Sequence, residues 1–323
     1  MTDVKGTILV SGASGIVGYG ILRNLAGAGY RLIGTTIYPD SPANCFSDIV
    51  EIVPLATDEE YIPYLLDVIK KHSIDMIIPG IEADMIAWHN HREKIEKTKT
   101  VVLLNSRELV SDCMDKWFFY EKLKRNHLNC YIESSMDKDY DRFSAPFIIK
   151  PRRGYGSKGV VKISTEQEFV QYRDRIGKDL MMQEFVGSDK EEYTVSVFFD
   201  KKSQIAAAIA MRRKLSSAGF TEIAETVDFD PFIAIVERLA GIFHPIGPTN
   251  FQFRRSGEVW KLLEINPRIS SSTSIKAGFG FNECMMAVRY FLDGEEIRQP
   301  EIRKGKSIRY MEDYFIYYDS VDI

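Results

Sequence analysis

Three polar residues with different chemistry follow an apolar run near residue 265. Glu264, Asn266 and Arg268 stand two apart, and Val259–Ile265 is predicted as a strand. Side chains two apart in a strand share one face. The carboxylate and amide oxygens therefore suit a Mg²⁺ ion, and the guanidinium suits anionic oxygens beside it. A polar strand end exposed to solvent is the alternative that this segment alone leaves open.

A glycine-rich loop between two predicted strands carries further candidate chemistry. The strands cover residues 147–150 and 160–163, and the loop between them has the sequence PRRGYGSKG. Backbone N–H groups of such a loop can face a polyphosphate, while Lys150 supplies a positive charge from the first strand. The loop joins two strands and lacks the GKS or GKT of a Walker motif. It is predicted as a phosphate cover, with a basic surface hairpin as the alternative.

The chain begins with another glycine motif, in which Gly12, Gly15 and Gly18 separate a predicted strand from a predicted helix. Glycines permit a tight turn, and the helix N-terminus offers free N–H groups to an anion. This opening also looks like that of a short-chain dehydrogenase or a sugar-nucleotide epimerase, with Asp40 near the position of a ribose-binding acid. Asp40 is predicted in a proline-bounded turn, however, which favours a structural role.

Tyr120 and Lys124 add to that alternative, because their spacing matches the Tyr-x-x-x-Lys pair that such enzymes use in catalysis. Both residues also lie within residues 106–126, which are predicted as one long amphipathic helix with Lys116 at the edge of its apolar stripe. Tyrosine and lysine are common on such helices. An NAD(P)-dependent enzyme is therefore the alternative function.

Composition indicates an ordinary globular protein. The 323 residues are 45% hydrophobic and 27% charged, with a net charge of −4. This charge gives no basic footprint for nucleic acid, and no apolar segment approaches the length of a membrane span. The four cysteines are far apart, which argues against a zinc site, and no signal-peptide pattern opens the chain. We expect a cytoplasmic protein without nucleic-acid or membrane partners.

Strands alternate with helices over roughly the first hundred residues, which predicts a parallel sheet with helices on both faces. The following part is predicted as α+β. There, a strand at 191–199 pairs with a strand at 205–210, which ends in the cationic cluster Arg212, Arg213 and Lys214. A later antiparallel hairpin brings Gln252 near Glu264, as a third oxygen ligand.

The motifs resemble, in their chain order, those of the ATP-grasp superfamily: Lys116, Lys150 with its glycine-rich loop, QEFV at 183–186 with Glu192, Gln252, and EINPR at 264–268. The chain is most similar to the large-subunit synthetase modules of carbamoyl phosphate synthetase, over about residues 5 to 300. The resemblance implies an α/β, Rossmann-like pre-ATP-grasp domain at 1–112 and a two-lobed α+β ATP-grasp domain at 113–305. The small lobe holds the glycine-rich loop at about 146–187, and residues 306–323 are a C-terminal extension.

The resemblance also implies a role for each matching residue. Contacts to ATP are implied for Lys116, Lys150, Gly154, Gly156, Ser157, Gln183, Glu184, Phe185, Val186 and Glu192. Of these, the two lysines and the glycine-rich loop meet the phosphates, the QEFV segment meets adenine, and Glu192 meets the ribose. The implied Mg²⁺ ligands are Gln252, Glu264 and Asn266. Arg268 and Lys150 are the implied catalytic cations. Arg213 and Lys214 are the implied substrate-binding cations, and a solvated cationic turn is the alternative for this pair.

Two departures separate the chain from the synthetase modules. Ser271 stands where those modules usually carry an arginine, and only one module is present. We therefore expect an ATP- and Mg²⁺-dependent carboxylate-amine ligase, in which an amine attacks an acyl phosphate, rather than carbamoyl phosphate synthesis. Its partners would be a small-molecule carboxylate and an amine, and a homodimer is a compatible assembly. A non-catalytic nucleotide-binding protein of the same fold is a further alternative.

Overall fold

The computed structural model describes residues 4–154, 158–188 and 191–315. Contacts divide the chain into two compact units, one comprising Met1–Val102 with Ser307–Ile323 and the other comprising Leu103–Lys306. The domain limits predicted at residues 112 and 305 stay predictions. Within the described ranges, every helix is too short or too polar to span a membrane.

The first unit is built on a five-stranded parallel sheet with the strand order 3-2-1-4-5. Its strands are β1 (Thr7–Val10), β2 (Arg31–Thr36), β3 (Ile49–Ile52), β4 (Met76–Ile78) and β5 (Val101–Val102). Its helices are α1 (Ile16–Leu25), α2 (Tyr61–His72), α3 (Glu82–Asn90) and α4 (Arg92–Glu96). The order reverses between β1 and β4, as in doubly wound folds, which confirms the predicted Rossmann-like sheet.

Packing inside this unit requires glycines in the segments that follow β1 and β4. A Cβ atom on Gly80, which follows β4, would lie 2.0 Å from the carbonyl oxygen of Ser11, and one on Gly18 would lie 2.3 Å from that of Gly12. The Gly80 N–H also donates to the Ser11 hydroxyl at 3.3 Å. No side chain fits at such distances. The turn after β1 and the segment after β4 therefore touch through their backbones.

The second unit contains two sheets. The four-stranded sheet has the order 6-9-7-8 and consists of β6 (Ser134–Ser135), β7 (Phe147–Pro151), β8 (Val161–Ile163) and β9 (Leu180–Glu184). The six-stranded sheet has the order 14-13-10-11-12-15 and consists of β10 (Glu192–Phe199), β11 (Ile205–Leu215), β12 (Thr221–Val227), β13 (Gly247–Ser256), β14 (Val259–Asn266) and β15 (Lys306–Ile308). The helices are α5 (Arg107–Cys113), α6 (Lys116–Arg125), α7 (Glu166–Val170), α8 (Asp230–Phe243), α9 (Thr273–Gly278) and α10 (Glu283–Phe291).

The six-stranded sheet has one strongly apolar face. Alternate residues of β10 and β13 are buried there in one hydrophobic cluster with helix α8: Tyr193, Val195, Val197, Phe199, Phe251, Phe253, Phe232, Val236, Leu239 and Phe243. Because successive side chains of a strand alternate between faces, residues 192, 194 and 196 of β10 lie on the opposite face. That second face carries the polar residues described below.

Residues 106–126 form two helices, α5 and α6, and the prediction of one long helix was wrong. The Asp115 side chain accepts from the Trp117 N–H at 3.0 Å and caps the start of α6. The backbone of Asp115 is extended, so the preceding helix cannot continue through this residue and a new helix begins after it.

The cationic residues after Ala210 belong to a strand, so the predicted strand end at residue 210 was wrong. Strand β11 continues to Leu215 and pairs with β12. The sequence does not predict β12, because Glu222 and Glu225 interrupt the alternation of polar and apolar residues.

Candidate functional site

Polar side chains form three rows across the second face of the six-stranded sheet. Residues paired across neighbouring strands share a face, so the register defines each row. The first row is Asn266, Asn250 and Ser196, and the second is Glu264, Gln252 and Thr194. The third row is Arg254 and Glu192, and Arg213 of β11 extends it through an ion pair with Glu192. The pairing of Gln252 with Glu264 confirms the predicted hairpin register. The rows bring all three predicted metal ligands to the β14 edge of the sheet.

These three residues offer one carboxylate and two amides. The Asn266 amide donates to Glu264 Oε1 at 3.0 Å, and Gln252 Oε1 accepts from Arg213 Nη2 at 2.5 Å. One carboxylate with neutral oxygens suits a Mg²⁺ ion that takes further ligands from substrate phosphates. The described ranges hold no group of three or more His, Cys, Asp or Glu suited to a metal. The donor set thus fits a metal shared with a phosphate.

Glu192 is held between two arginines. Arg213 Nη2 donates to Glu192 Oε1 and Arg254 Nη2 donates to Oε2, both at 2.8 Å. The side chains of Glu192 and Arg213 are only 7% and 5% exposed. Removal of one partner from such a buried pair leaves the other charge uncompensated. Each carboxylate oxygen has two acceptor positions, so Oε2 keeps one for a further donor such as a hydroxyl group.

Arg213 and Lys214, predicted together, lie on opposite faces of β11. Arg213 shares the polar face with Glu192. Lys214 is 68% exposed, and its Nζ lies 3.7 Å from Glu222 on the neighbouring strand. The structure therefore brings only Arg213 next to the other candidate site residues.

Lys150 is a buried lysine near the end of β7. Its Nζ donates to Gln183 Oε1 at 2.7 Å, and the Gln183 amide donates to the Ser134 hydroxyl at 3.0 Å. Burial and the neighbouring Lys116 lower the pKa of Lys150 to about 8, while Glu264 opposes the shift. Two predicted phosphate lysines and a predicted metal ligand thus share one electrostatic neighbourhood. An anion bound here would raise the pKa of Lys150 again.

Lys116, the first residue of α6, lies against the start of the glycine-rich loop. Its N–H donates to Arg152 O at 2.9 Å and its Nζ donates to Gly154 O at 2.5 Å. Arg152 Nη2 in turn donates to Asp115 at 2.8 Å. Burial raises the pKa of Asp115, but the hydrogen bonds from Arg152 and the Trp117 N–H outweigh it and hold the pKa below its usual range. Asp115 thus ties the helix to the loop.

The beginning of the glycine-rich loop is open. Gly154 has φ +130°, and a Cβ atom there would meet no atom within 4 Å in the described part of the chain, its chain neighbours aside. Gly156 and Ser157, which were predicted to contact ATP, lie outside the described residues. The described part is consistent with a backbone that a ligand can approach closely.

The QEFV segment ends β9 and continues as an irregular hinge. The Phe185 ring lies 4.2 Å from Lys162 Nζ and 5.7 Å from the Arg254 guanidinium carbon. Val186 is buried. Gly187 has φ +62°, and a Cβ atom there would lie 2.3 Å from a backbone carbonyl oxygen of β13. The Glu184 N–H donates to a backbone carbonyl at 2.9 Å. The hinge therefore passes close to β13, on which Arg254 stands.

Arg268 lies beyond the last residue of β14. Its Nη1 donates to Ile269 O at 3.0 Å, and its side chain is half-buried. Because β14 ends at Asn266, strand alternation does not set the direction of Arg268. The loop at 267–272 sets it instead.

The residues of the dehydrogenase alternative belong to two compact units. Asp40 is exposed and lies four residues beyond the end of β2. On α6, Lys124 Nζ donates to the Tyr120 hydroxyl at 2.9 Å, and that hydroxyl donates to Glu133 at 2.7 Å. Asp40 and this pair belong to different compact units.

Two family models match the sequence. Residues 177–314 match the family described as ATP-grasp in the biosynthetic pathway with Ter operon. Residues 16–103 match the family described as the PylC-like N-terminal domain. A comparison with curated proteins gives no match.

The fold is similar to solved ATP-grasp structures. The N5-carboxyaminoimidazole synthetase of Staphylococcus aureus, complexed with ADP, has a TM-score of 0.74 and 16% identity over 93% of this chain and 80% of that chain. The biotin carboxylase of Campylobacter jejuni, in a β-γ-ATP complex, has a TM-score of 0.72 and 16% identity over 93% and 74%. The L-amino acid ligase of Bacillus licheniformis has a TM-score of 0.66 and 16% identity over 94% and 78%. These similarities confirm the predicted ATP-grasp fold and do not favour a dehydrogenase.

Proposed function

We propose that this chain, which has the ATP-grasp fold, is an ATP- and Mg²⁺-dependent ligase that activates a carboxylate as an acyl phosphate for attack by an amine. The observation that carries the proposal is the register of the six-stranded sheet, which puts Gln252, Glu264 and Asn266 on one face. Phosphoryl transfer needs positioning and charge neutralisation, which lysines, metal ligands and an arginine supply. The similar structures named as a synthetase with ADP and an amino acid ligase support the same reaction class.

The phosphates would lie between the two lysines and the glycine-rich loop. Lys150 projects from the rigid strand β7, and Lys116 lies beside Gly154. Gly156 and Ser157 would complete this cover over the phosphates. An anion recovers the electrostatic free energy that burial of the Lys150 ammonium costs.

The nucleoside would lie along the hinge and the third polar row. Main-chain groups of Glu184 and Val186 would meet adenine, with Phe185 beside them and Gln183 fixing Lys150. The free acceptor position of Glu192 would receive a ribose hydroxyl.

Gln252, Glu264 and Asn266 would hold Mg²⁺ at the β14 edge of the sheet. When bound, the ion would neutralise negative charge on the phosphates. Arg268 would then donate to the oxygens of the transferring phosphoryl group.

The reaction forms and breaks two bonds in sequence. A carboxylate oxygen of the substrate attacks the γ-phosphorus, and the bond to the bridging oxygen of ADP breaks. The amine nitrogen then attacks the acyl carbon, phosphate leaves, and the nitrogen loses a proton. A site closed to water keeps the acyl phosphate from hydrolysis. Arg213 and Lys214 stay candidates for the substrate carboxylate, and the polar-face position of Arg213 favours it.

A homodimer and a cytoplasmic location are part of this proposal. One similar solved structure is named as a biotin carboxylase domain dimer with MgADP. Light scattering of the purified chain tests the assembly.

An ADP-release screen tests the proposed function. Amino acids and other small carboxylates are crossed with amines, and mass spectrometry identifies any product. We expect ADP release that depends on both substrates and disappears in Lys150→Ala and Glu264→Ala, while Lys124→Ala, a surface lysine, keeps it. Full activity in both site variants, or tight ATP binding without turnover across the panel, would contradict the ligase.

A further inference from the structure

A fully buried lysine lies behind the first polar row of the sheet. Lys276, on helix α9, is 0% exposed, and its ammonium forms an ion pair with Glu283, the first residue of α10, which is 1% exposed. Burial lowers the pKa of Lys276, and Glu283 opposes that shift. Lysine is rarely buried completely unless it is paired. None of the motifs in the sequence includes this residue.

The same ammonium holds the loop that follows β14. Lys276 Nζ donates to the Ser270 hydroxyl at 3.1 Å, and the Ser270 hydroxyl lies 3.0 Å from that of Ser272. The backbone adds a turn in which Thr273 N donates to Ser270 O at 3.0 Å. Ser270 is two residues beyond Arg268, whose direction this loop sets.

A second contact connects Lys276 to the row that ends in a predicted metal ligand. Lys276 Nζ donates to the Ser196 hydroxyl at 2.8 Å, and the Asn250 amide donates to the same hydroxyl at 3.0 Å. Asn250 is 0% exposed and pairs across the sheet with Asn266. The three donors of one ammonium thus reach β10, the loop after β14, and helix α10.

We propose that Lys276 is a positioning residue, which fixes Asn266 and the Arg268 loop for the metal-bound nucleotide through Ser196 and Ser270. This inference rests on the proposed function, because it assigns Lys276 to the same site. The lysine touches neither the nucleotide nor the metal in this account. Residues that orient metal ligands from behind typically change metal affinity about 10- to 100-fold when they are replaced.

Metal affinity in the presence of ADP tests the proposal. The double variant Lys276→Met with Glu283→Gln removes both charges, so that no unpaired charge stays buried. Electron paramagnetic resonance of free Mn²⁺ then gives the Mn²⁺ dissociation constant at saturating ADP, and calorimetry gives the ADP affinity without metal. We expect the Mn²⁺ dissociation constant to rise about tenfold or more, with the metal-free ADP affinity unchanged.

Two single variants keep the test decisive if the double variant does not fold. Ser270→Ala removes one acceptor of Lys276 and should weaken Mn²⁺ binding in the same direction. Thr273→Val is the matched control, because Thr273 lies on the same helix, 3.3 Å from Cys284 and not against the ammonium. Wild-type Mn²⁺ affinity in Ser270→Ala or in a folded double variant, or an equal loss in Thr273→Val, would overturn the inference. If the wild-type chain binds no ADP or Mn²⁺, the proposed function itself fails.

Discussion

The two glycine motifs of this chain have similar composition and opposite surroundings. Near Gly18 and Gly80, backbone atoms approach so closely that an added Cβ atom would lie 2.3 Å or less from a carbonyl oxygen. At Gly154, an added Cβ atom would meet no atom of the described residues within 4 Å apart from its chain neighbours, and Lys116 binds the carbonyl of the same residue. Glycine permits close approach in both places. In the first unit the approaching group is the protein itself, whereas in the second we expect it to be a ligand.

This difference shows why a glycine motif alone does not identify a nucleotide site. In this chain the buried Lys150 beside the second motif favours that motif as the nucleotide site. A buried lysine with one amide partner needs an anion to compensate its charge. The following changes test the comparison, beginning with the largest expected effect.

Gly80→Ala should destabilise the first unit by about 3 kcal/mol or more, because the new methyl group overlaps backbone atoms that cannot move independently. Urea denaturation followed by the fluorescence of buried Trp88 measures the free energy of unfolding. Gly27→Ala is the control, since Gly27 has φ +74° and open space around it, and should cost only about 1 kcal/mol. Equal losses in the two variants would contradict the packing role.

Asp115→Ala should lower the free energy of unfolding by about 2 kcal/mol, because it removes a helix cap and leaves Arg152 without its buried partner. Asp115→Asn can keep the cap but not the charge, and should fall between this variant and the wild type. Thermal denaturation measures both. If Asp115→Asn is as stable as the wild type, the ion pair with Arg152 does not contribute to stability.

Nucleotide affinity should depend on pH through Lys150. The pKa of about 8 means that the ammonium is present below pH 8 and is lost as the pH rises through this value. ADP affinity should therefore be constant near pH 7 and fall by up to about tenfold per unit above pH 8. Calorimetry between pH 7 and 9.5 measures this, and the dependence should disappear in Lys150→Met. A flat profile for the wild type would exclude Lys150 as the responsible cation.

Lys124→Met should have the smallest effect, at about 0.5 kcal/mol or less in stability, because its ion pair with Glu133 lies at the surface. Tyr120→Phe should cost about 1 kcal/mol, because it removes the part-buried hydrogen bonds of a buried side chain. ADP affinity should stay at the wild-type value. A loss of NAD(P)H-dependent turnover in either variant would instead support the dehydrogenase alternative.

The sequence predicts part of the polar rows, because strand alternation puts Glu264 and Asn266 on one face and hairpin pairing brings Gln252 beside Glu264. The position of Glu192 beside Arg254 is not predicted, because β10 and β13 are far apart in the chain. The period-two pattern is local, so it survives without knowledge of the fold. The separation of Arg213 from Lys214 follows from the same rule once β11 is known to continue to Leu215.

Contacts between distant residues could not be predicted in this way. Asp115 meets Arg152 across 37 positions, and Lys276 meets Ser196 across 80. Each of these residues has an ordinary local explanation, as a helix cap or a solvated lysine, and only tertiary packing reveals the partner. Arg268 is predicted from the sequence, but the contact of the buried Lys276 with Ser270 in the same loop is not.

Binding of ADP with and without Mg²⁺ tests the central claim most directly. Calorimetry is performed on the wild type, Lys150→Met, Glu264→Gln and the surface control Lys124→Met. We expect the wild type and the control to bind ADP more tightly with Mg²⁺, Lys150→Met to lose about 100-fold in affinity under both conditions, and Glu264→Gln to lose only the gain from Mg²⁺. Wild-type affinity and Mg²⁺ dependence in both site variants would contradict the assignment of this face of the sheet as the nucleotide site.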